Sequence, residues 1–129
     1  MPKIAFFEAL NYNLNMKYLY PSDNTEVIEE AKRSLPDDDD LASLAEFYKV
    51  MGDPTRLRLL MLLQQQPFCV TDLCNAINLS RSTVSHSLKE LRAAKLVKPQ
   101  RLGQSVLYSL DDNHISSILQ VALEHIQED

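Results

Sequence analysis

The stretch from Val70 to Leu110 leaves this chain few folds to choose from. Behind Thr71, a candidate N-cap, the segment DLCNAINL turns Leu73, Ala76 and Ile77 to one side. A turn at Leu79-Ser80 follows, without the glycine often found there, and a second helix then runs from about Arg81 to Ala94 with Val84, Leu88 and Leu91 inward at i, i+4 and i+7. Next, Leu96-Val97 and Val106-Leu107-Tyr108 alternate with polar residues around Arg101-Leu102-Gly103-Gln104, which reads as a β-hairpin. Two short helices joined by a tight turn and followed by a hairpin make a winged helix-turn-helix. The expected fold class is therefore mainly α with a small β-hairpin, a winged helix-turn-helix; the spacing in the C-terminal helix adds the expectation of a homodimer.

The polar side of this stretch indicates its use. Arg81, Ser82, Ser85, His86, Lys89 and Arg92 would face outward on the second helix, and Lys98, Arg101 and Gln104 on the hairpin. Such donors suit phosphates and base edges of double-stranded DNA. The formal net charge of −5 argues against a nucleic-acid partner, but the distribution reverses that argument. Residues 79–108 carry six basic side chains against Glu90 alone, whereas residues 22–46 carry nine acidic ones against Lys32 and Arg33. A chain so polarised has a basic working face and an acidic remainder.

The 129 residues, 45% hydrophobic, suffice for one domain with its own core. Residues 1–22 show no clean period and read as an irregular arm. Residues 24–35 look helical, with Val27, Ile28 and Ala31 on one side. Pro36 and Asp37–Asp40 then read as a solvated linker whose last member caps the next helix. That helix, from Leu41 to about Met51, has Leu41, Leu44, Ala45, Tyr48 and Val50 as its apolar stripe. Gly52-Asp53-Pro54 stops the chain and restarts it into TRLRLLMLLQQQ, with Leu57, Leu60, Met61 and Leu63 inward, until Pro67. The expected organisation is residues 1–40 as arm, helix and acidic linker, and residues 41–129 as the DNA-binding domain with a C-terminal helix for dimerisation and metal sensing. No apolar run is long enough to span a membrane, and the N-terminus lacks a signal-like core, so a cytoplasmic location without a membrane partner is expected. The cysteines, Cys69 and Cys74, are too close in sequence to staple a long loop.

The C-terminal run DDNHISSILQVALEHIQED places Asp112 and His114 at its start and His125 and Glu128 at its end. Between them Ile115, Ile118, Leu119, Val121, Ala122, Leu123 and Ile126 form an apolar helical run. Eleven residues from His114 to His125 are roughly 16 Å of helix, too far for one ion held by bonds of about 2 Å. Eleven steps of about 100° nevertheless return to nearly the same azimuth, so both imidazoles face one way. A second copy set antiparallel, with a two-fold axis near Gln120, would bring each chain's His125/Glu128 to its partner's Asp112/His114. Two identical sites would result, each straddling the dimer interface. Carboxylates are ionised and ordinary imidazoles mostly neutral around pH 7, so such ligands fail as imidazole protonates below about 6.5. Tetrahedral N2O2 suits Zn2+, with Co2+ as a substitute.

Taken together, LASLAEFYKVMGDPTRLRLLMLL, FCVTDLCNAINLSRSTVSHSLKELRAAKLV, GQSVLYSL and DDNHISSILQVALEHIQE resemble the ArsR/SmtB family of metal-sensing repressors. The resemblance covers about Leu41 to Glu128. DPTRLRLL and STVSHSLKEL carry it in general, and D-x-H followed after ten residues by H-x-x-E places it nearest the zinc-sensing branch. It implies a dimeric winged-helix repressor that holds operator DNA in the apo state and leaves it when Asp112, His114, His125 and Glu128 bind zinc, two ions per dimer. It also implies a link from His125 to the main chain near Lys95. The chain departs from relatives with a second, N-terminal metal site. Cys69 and Asp72 match part of that site, but residues 1–68 hold neither Cys nor His to complete it. Thr71 stands where arsenic-sensing relatives have their middle thiol. A repressor responding to arsenicals or redox through Cys69 and Cys74 is the alternative. An enzyme is not expected: the four proposed ligands leave no open position on zinc, and the chain has no HExxH and no Gly-rich phosphate loop.

Overall fold

The computed structural model describes residues 24–128, so the arm expected over residues 1–22 lies outside the described residues. The described residues divide into two units, one ending at Asp40 and the other beginning at Leu41. In the first, α1 (Thr25–Arg33) buries none of its residues. It ends at Ser34, whose hydroxyl donates to the Ala31 carbonyl at 2.7 Å. The acidic run behaves differently from expectation. The first aspartate, Asp37, does the capping: its carboxylate accepts from the Asp40 N–H at 2.8 Å, and α2 (Asp38–Met51) begins at once. Asp38, Asp39 and Asp40 occupy the first turn of that helix, where negative charge offsets the partial positive charge of unpaired N–H groups.

The second unit forms as its punctuation dictates. Asp53 accepts from the Arg56 N–H at 2.9 Å and Pro54 takes the first position of α3 (Pro54–Gln65). A two-residue strand, β1 (Phe68–Cys69), leads directly into α4 (Val70–Ile77). Thr71 is therefore inside that helix, and Cys69 holds the N-cap position that was expected of Thr71. The turn after α4 manages without glycine because Asn78 takes the left-handed conformation at φ 55°. Ser80 then caps α5 (Arg81–Ala93), its hydroxyl accepting from the Thr83 N–H at 3.2 Å.

Lys95 reverses the chain at φ 62°, and β2 (Val97–Leu102) and β3 (Ser105–Leu110) follow as an antiparallel hairpin from Val97↔Leu110 to Leu102↔Ser105. Arg101 and Leu102 belong to the strand, so the turn is Gly103-Gln104, with Gly103 at φ 65°. β1 adds to the far side of β3, giving a three-stranded sheet in the order β1-β3-β2 where two strands were expected. The Asp111 N–H donates to the Leu96 carbonyl at 3.0 Å and closes the hairpin's base before α6 (Asn113–Gln127).

The core lies where α3, α4, α5 and the sheet meet: Leu59, Leu60, Leu73, Val84, Leu88, Leu91, Leu96 and Val97 are fully buried there. Leu59 is a buried residue that the expected stripe of α3 left out, while Leu57 and Met61 are only partly buried. Ala76, expected inward, is exposed. α2 reaches the core with Val50 and Met51, whereas Leu41, Leu44 and Tyr48 of its expected stripe stay exposed. α6 is likewise divided: Ile115 and Leu119 are buried, but Val121 and Ile126 are 64% and 76% exposed.

Candidate nucleic-acid interface and metal centre

α5 owes its polar face to its apolar one. Val84, Ser87, Leu88 and Leu91 anchor it at i, i+3, i+4 and i+7, which turns Arg81, Ser82, Ser85, His86, Lys89 and Arg92 out to solvent. Lys98, Arg101 and Gln104 are exposed on the hairpin. Three of these side chains are already engaged within the chain. The Arg81 guanidinium donates to the Thr71 hydroxyl at 3.1 Å, the hydroxyls of Ser82 and Ser80 are 3.1 Å apart, and His86 Nε2 lies 3.3 Å from a Glu90 carboxylate oxygen. Arg81 is thus braced against the preceding helix, which limits the rotamers its long side chain can visit.

Glu90 is the acid that the basic stretch contained, and it has a second partner. Its other oxygen accepts from Arg56 Nη2 at 2.8 Å, and Arg56 Nη1 donates to the Val50 carbonyl at 3.2 Å. The Arg56 side chain is 21% exposed and that of Glu90 39%, so water screens this pair only in part. Neither residue stands out in the sequence: Arg56 lies in the apolar run TRLRLLMLLQQQ, and Glu90 is the one acid of residues 79–108. Their i-to-j separation of 34 residues carries no sequence signal.

The candidate metal ligands appear as two pairs. At the start of α6, Asp112 is the N-cap, its Oδ1 accepting from the His114 N–H at 2.9 Å and lying 3.3 Å from His114 Nδ1. Loss of water near the carboxylate pushes its pKa up. The backbone N–H, the side-chain hydrogen bond and the charge of His114, together with the Ile115 N–H, outweigh that push and hold it below its ordinary 3.8. The Asp112 carboxylate has about four lone-pair sites on its two oxygens, more than the cap occupies. At the far end His125 Nδ1 lies 4.0 Å from a Glu128 carboxylate oxygen. Both imidazoles project into solvent, at 89% and 81% exposure. The two pairs do not meet within one chain. Among the described residues no three His, Cys, Asp or Glu side chains of a single chain converge on a cation position. The pairs differ from an ordinary surface in their donor chemistry, one imidazole and one carboxylate each, with ligand capacity unspent.

Between the pairs runs an uncovered apolar groove, lined by Tyr48 of α2 and by Ser117, Ile118, Val121, Ala122, His125 and Ile126 of α6. His125 therefore stands at the rim of the exposed apolar surface rather than apart from it. The thiols are elsewhere: Cys69 Sγ donates to Asp72 Oδ2 at 3.3 Å, and Cys74 packs against the core. Both are free.

A recognition helix with a donor-rich face, braced on a preceding helix and followed by a basic hairpin, defines a winged-helix DNA-binding protein. Residues 53–98 match the bacterial regulatory protein, arsR family. A transcriptional repressor SmtB homolog of Synechocystis sp. is 44% identical over 90 residues, 70% of this chain and 68% of the relative. A cadmium resistance transcriptional regulatory protein, a CadC homolog of Staphylococcus aureus, is 31% identical over 78% of this chain and 84% of its own length. In solution, the homodimeric winged helix-turn-helix DNA-binding domain Mb0332 of Mycobacterium bovis, a possible ArsR-family regulator, superposes with a TM-score of 0.64 at 25% identity, covering 73% of this chain and 94% of the other. The chain belongs to the arsR family of bacterial regulatory proteins. It is a DNA-binding transcriptional repressor of the ArsR/SmtB type and not an enzyme.

Proposed function

We propose that this protein is a zinc-responsive repressor: the apo homodimer holds palindromic operator DNA, and binding of Zn2+ by Asp112 and His114 of one chain with His125 and Glu128 of the other releases it. The observation that carries this reading is the form of α6. It bears two imidazole–carboxylate pairs at its ends, each short of a complete coordination sphere, and an unpartnered apolar strip between them. Both shortfalls are met at once by a second α6 lying antiparallel, because closure by a two-fold axis completes two identical tetrahedral N2O2 sites and covers Val121 and Ile126. A relative named for cadmium resistance agrees with a metal as the signal.

In the complex, Ser82, Ser85, His86 and Arg92 would face the major groove, with Arg81, Lys89 and the wing residues Lys98, Arg101 and Gln104 on the phosphates. The dimer holds its two recognition helices about one DNA turn apart, roughly 34 Å. Ligation at the α6 ends fixes one mutual arrangement of the subunits. Release requires that this arrangement bind zinc more tightly than the DNA-bound one, and ten-fold weaker DNA binding requires about 1.4 kcal/mol of that difference. Titrating zinc into the protein–operator complex while following DNA fluorescence anisotropy tests the reading. Wild type should be released, His125→Ala should bind DNA as wild type does and stay bound, and the Cys69→Ser/Cys74→Ser double variant should still be released. Release of His125→Ala would remove the α6 site as the sensor, and loss of response in the cysteine variant would move sensing to the thiols.

A further inference from the structure

The sensor helix and the recognition helix are both gripped by side chains of α3, one at each end of it. At the C-terminal end, Gln64 Nε2 donates to the Ser116 carbonyl at 3.3 Å and to the Ser116 hydroxyl at 3.2 Å. Ser116 belongs to the first turn of α6, two residues beyond His114. At the N-terminal end, Arg56 donates to Glu90 in the last turn of α5 and to the Val50 carbonyl at the end of α2. Glu90 in turn faces His86 one helical turn earlier, on the exposed side of α5. Eight residues separate Arg56 from Gln64, about 12 Å of helix. Between them Leu59, Leu60 and Leu63 pack α3 into the core, which fixes the spacing between its two ends.

We propose that Gln64 and the Arg56–Glu90 pair are positioning residues that transmit the state of the α6 site to the recognition helix, with α3 as the rigid link. This deepens the zinc-sensor reading and rests on it. A shift of the first turn of α6, when Asp112 and His114 close on the ion, reaches α3 through the Gln64 amide. At the other end Glu90 and Arg56 transfer the shift to α5. The Gln64 linkage touches neither metal nor DNA, so it should matter little to either affinity taken alone; Glu90 also holds His86 on the proposed DNA-facing side, so its variant is read by the coupling factor alone. Their contribution is to the coupling, the factor by which zinc weakens operator binding.

The test measures operator affinity with and without saturating zinc, and zinc affinity of the free dimer, for wild type, Gln64→Ala, Gln64→Met, Glu90→Gln and the Gln64→Met/Glu90→Gln double variant. Gln64→Met keeps length and packing while removing the amide donor, which guards against a simple packing defect. The expected result is that the Gln64 variants keep apo operator affinity and zinc affinity within about two-fold of wild type. Their coupling factor should fall at least about five-fold, the lower end of typical allosteric couplings. Glu90→Gln should lower the coupling factor similarly, and the double variant should be no worse than the poorer single one, as two links in one chain require. A wild type released by zinc alongside Gln64 variants with an unchanged coupling factor overturns this inference and leaves the sensor reading intact. Fully additive losses in the double variant also overturn it. A wild type that zinc does not release overturns the sensor reading and this one with it.

Discussion

Asp112 shows how much one residue can be asked to do. Its carboxylate starts α6 by accepting from the His114 N–H, and the same group is a proposed ligand. Because folding lowers its pKa below 3.8, the charged cap contributes stability above that pH, and the contribution disappears as pH falls through the lower folded value. Asp112→Asn retains an acceptor for the N–H. Thermal melts of the apo protein should therefore find it close to wild type at pH 7 and less sensitive to acidification from pH 5 to 3, while zinc affinity falls at least about ten-fold. An Asn variant that loses stability at neutral pH as Ala does would show that its amide does not replace the cap. At this scale the sequence was readable wherever a residue's conformational preference acts on its immediate neighbours. Asp53 and Pro54 sit at a helix start as their chemistry requires. Asn78 and Lys95 were not foreseen as left-handed residues, since any short polar turn offers several candidates and packing selects among them.

Elements were legible to the extent that they carry a period. α5 came through because Val84, Leu88 and Leu91 at i, i+4 and i+7 leave little choice of face, and the hairpin because Gly103 stands between two runs rich in β-formers. β1 has two residues, too few to show a period, and exists because β3 offers an open edge to Phe68 and Cys69. α3 is apolar over nearly its whole length, so its sequence does not single out Leu59 as a core residue; the neighbouring helices do. α2 and α6 each have two apolar faces. One was mistaken for a core stripe in α2, because periodicity registers that a face is apolar and not what will cover it. The wing supplies the prediction that belongs here. Lys98 and Arg101 are exposed on β2 with no ion-pair partner among the described residues, so their positive charge is available to phosphates. Lys98→Ala/Arg101→Ala should weaken operator and random duplex alike. The plot of log affinity against log salt should become shallower by about 0.9 for each phosphate that is no longer neutralised. An unchanged slope would take the hairpin off the DNA.

For the whole molecule, the separation of charge is the feature that the composition total hides. In a chain of net charge −5, residues 79–108 carry six basic side chains against Glu90 alone, while nine of the 18 acids lie in residues 22–46. In the proposed dimer the spacing of Asp112, His114, His125 and Glu128 is nearly palindromic about Gln120, with two residues from carboxylate to imidazole at the start and three from imidazole to carboxylate at the end. The central claim is that each metal site is built from both subunits, and a complementation experiment tests it most directly. Two differently tagged chains, one carrying His114→Ala and the other His125→Ala, are co-expressed and the heterodimer is isolated. One of its sites has lost both imidazoles, and the other keeps His114 from the second chain and His125 from the first. The account expects about one zinc bound per heterodimer at near wild-type affinity, against about two in wild type and no tight binding in either homodimeric variant. A heterodimer that binds zinc no better than the two variant homodimers would contradict it.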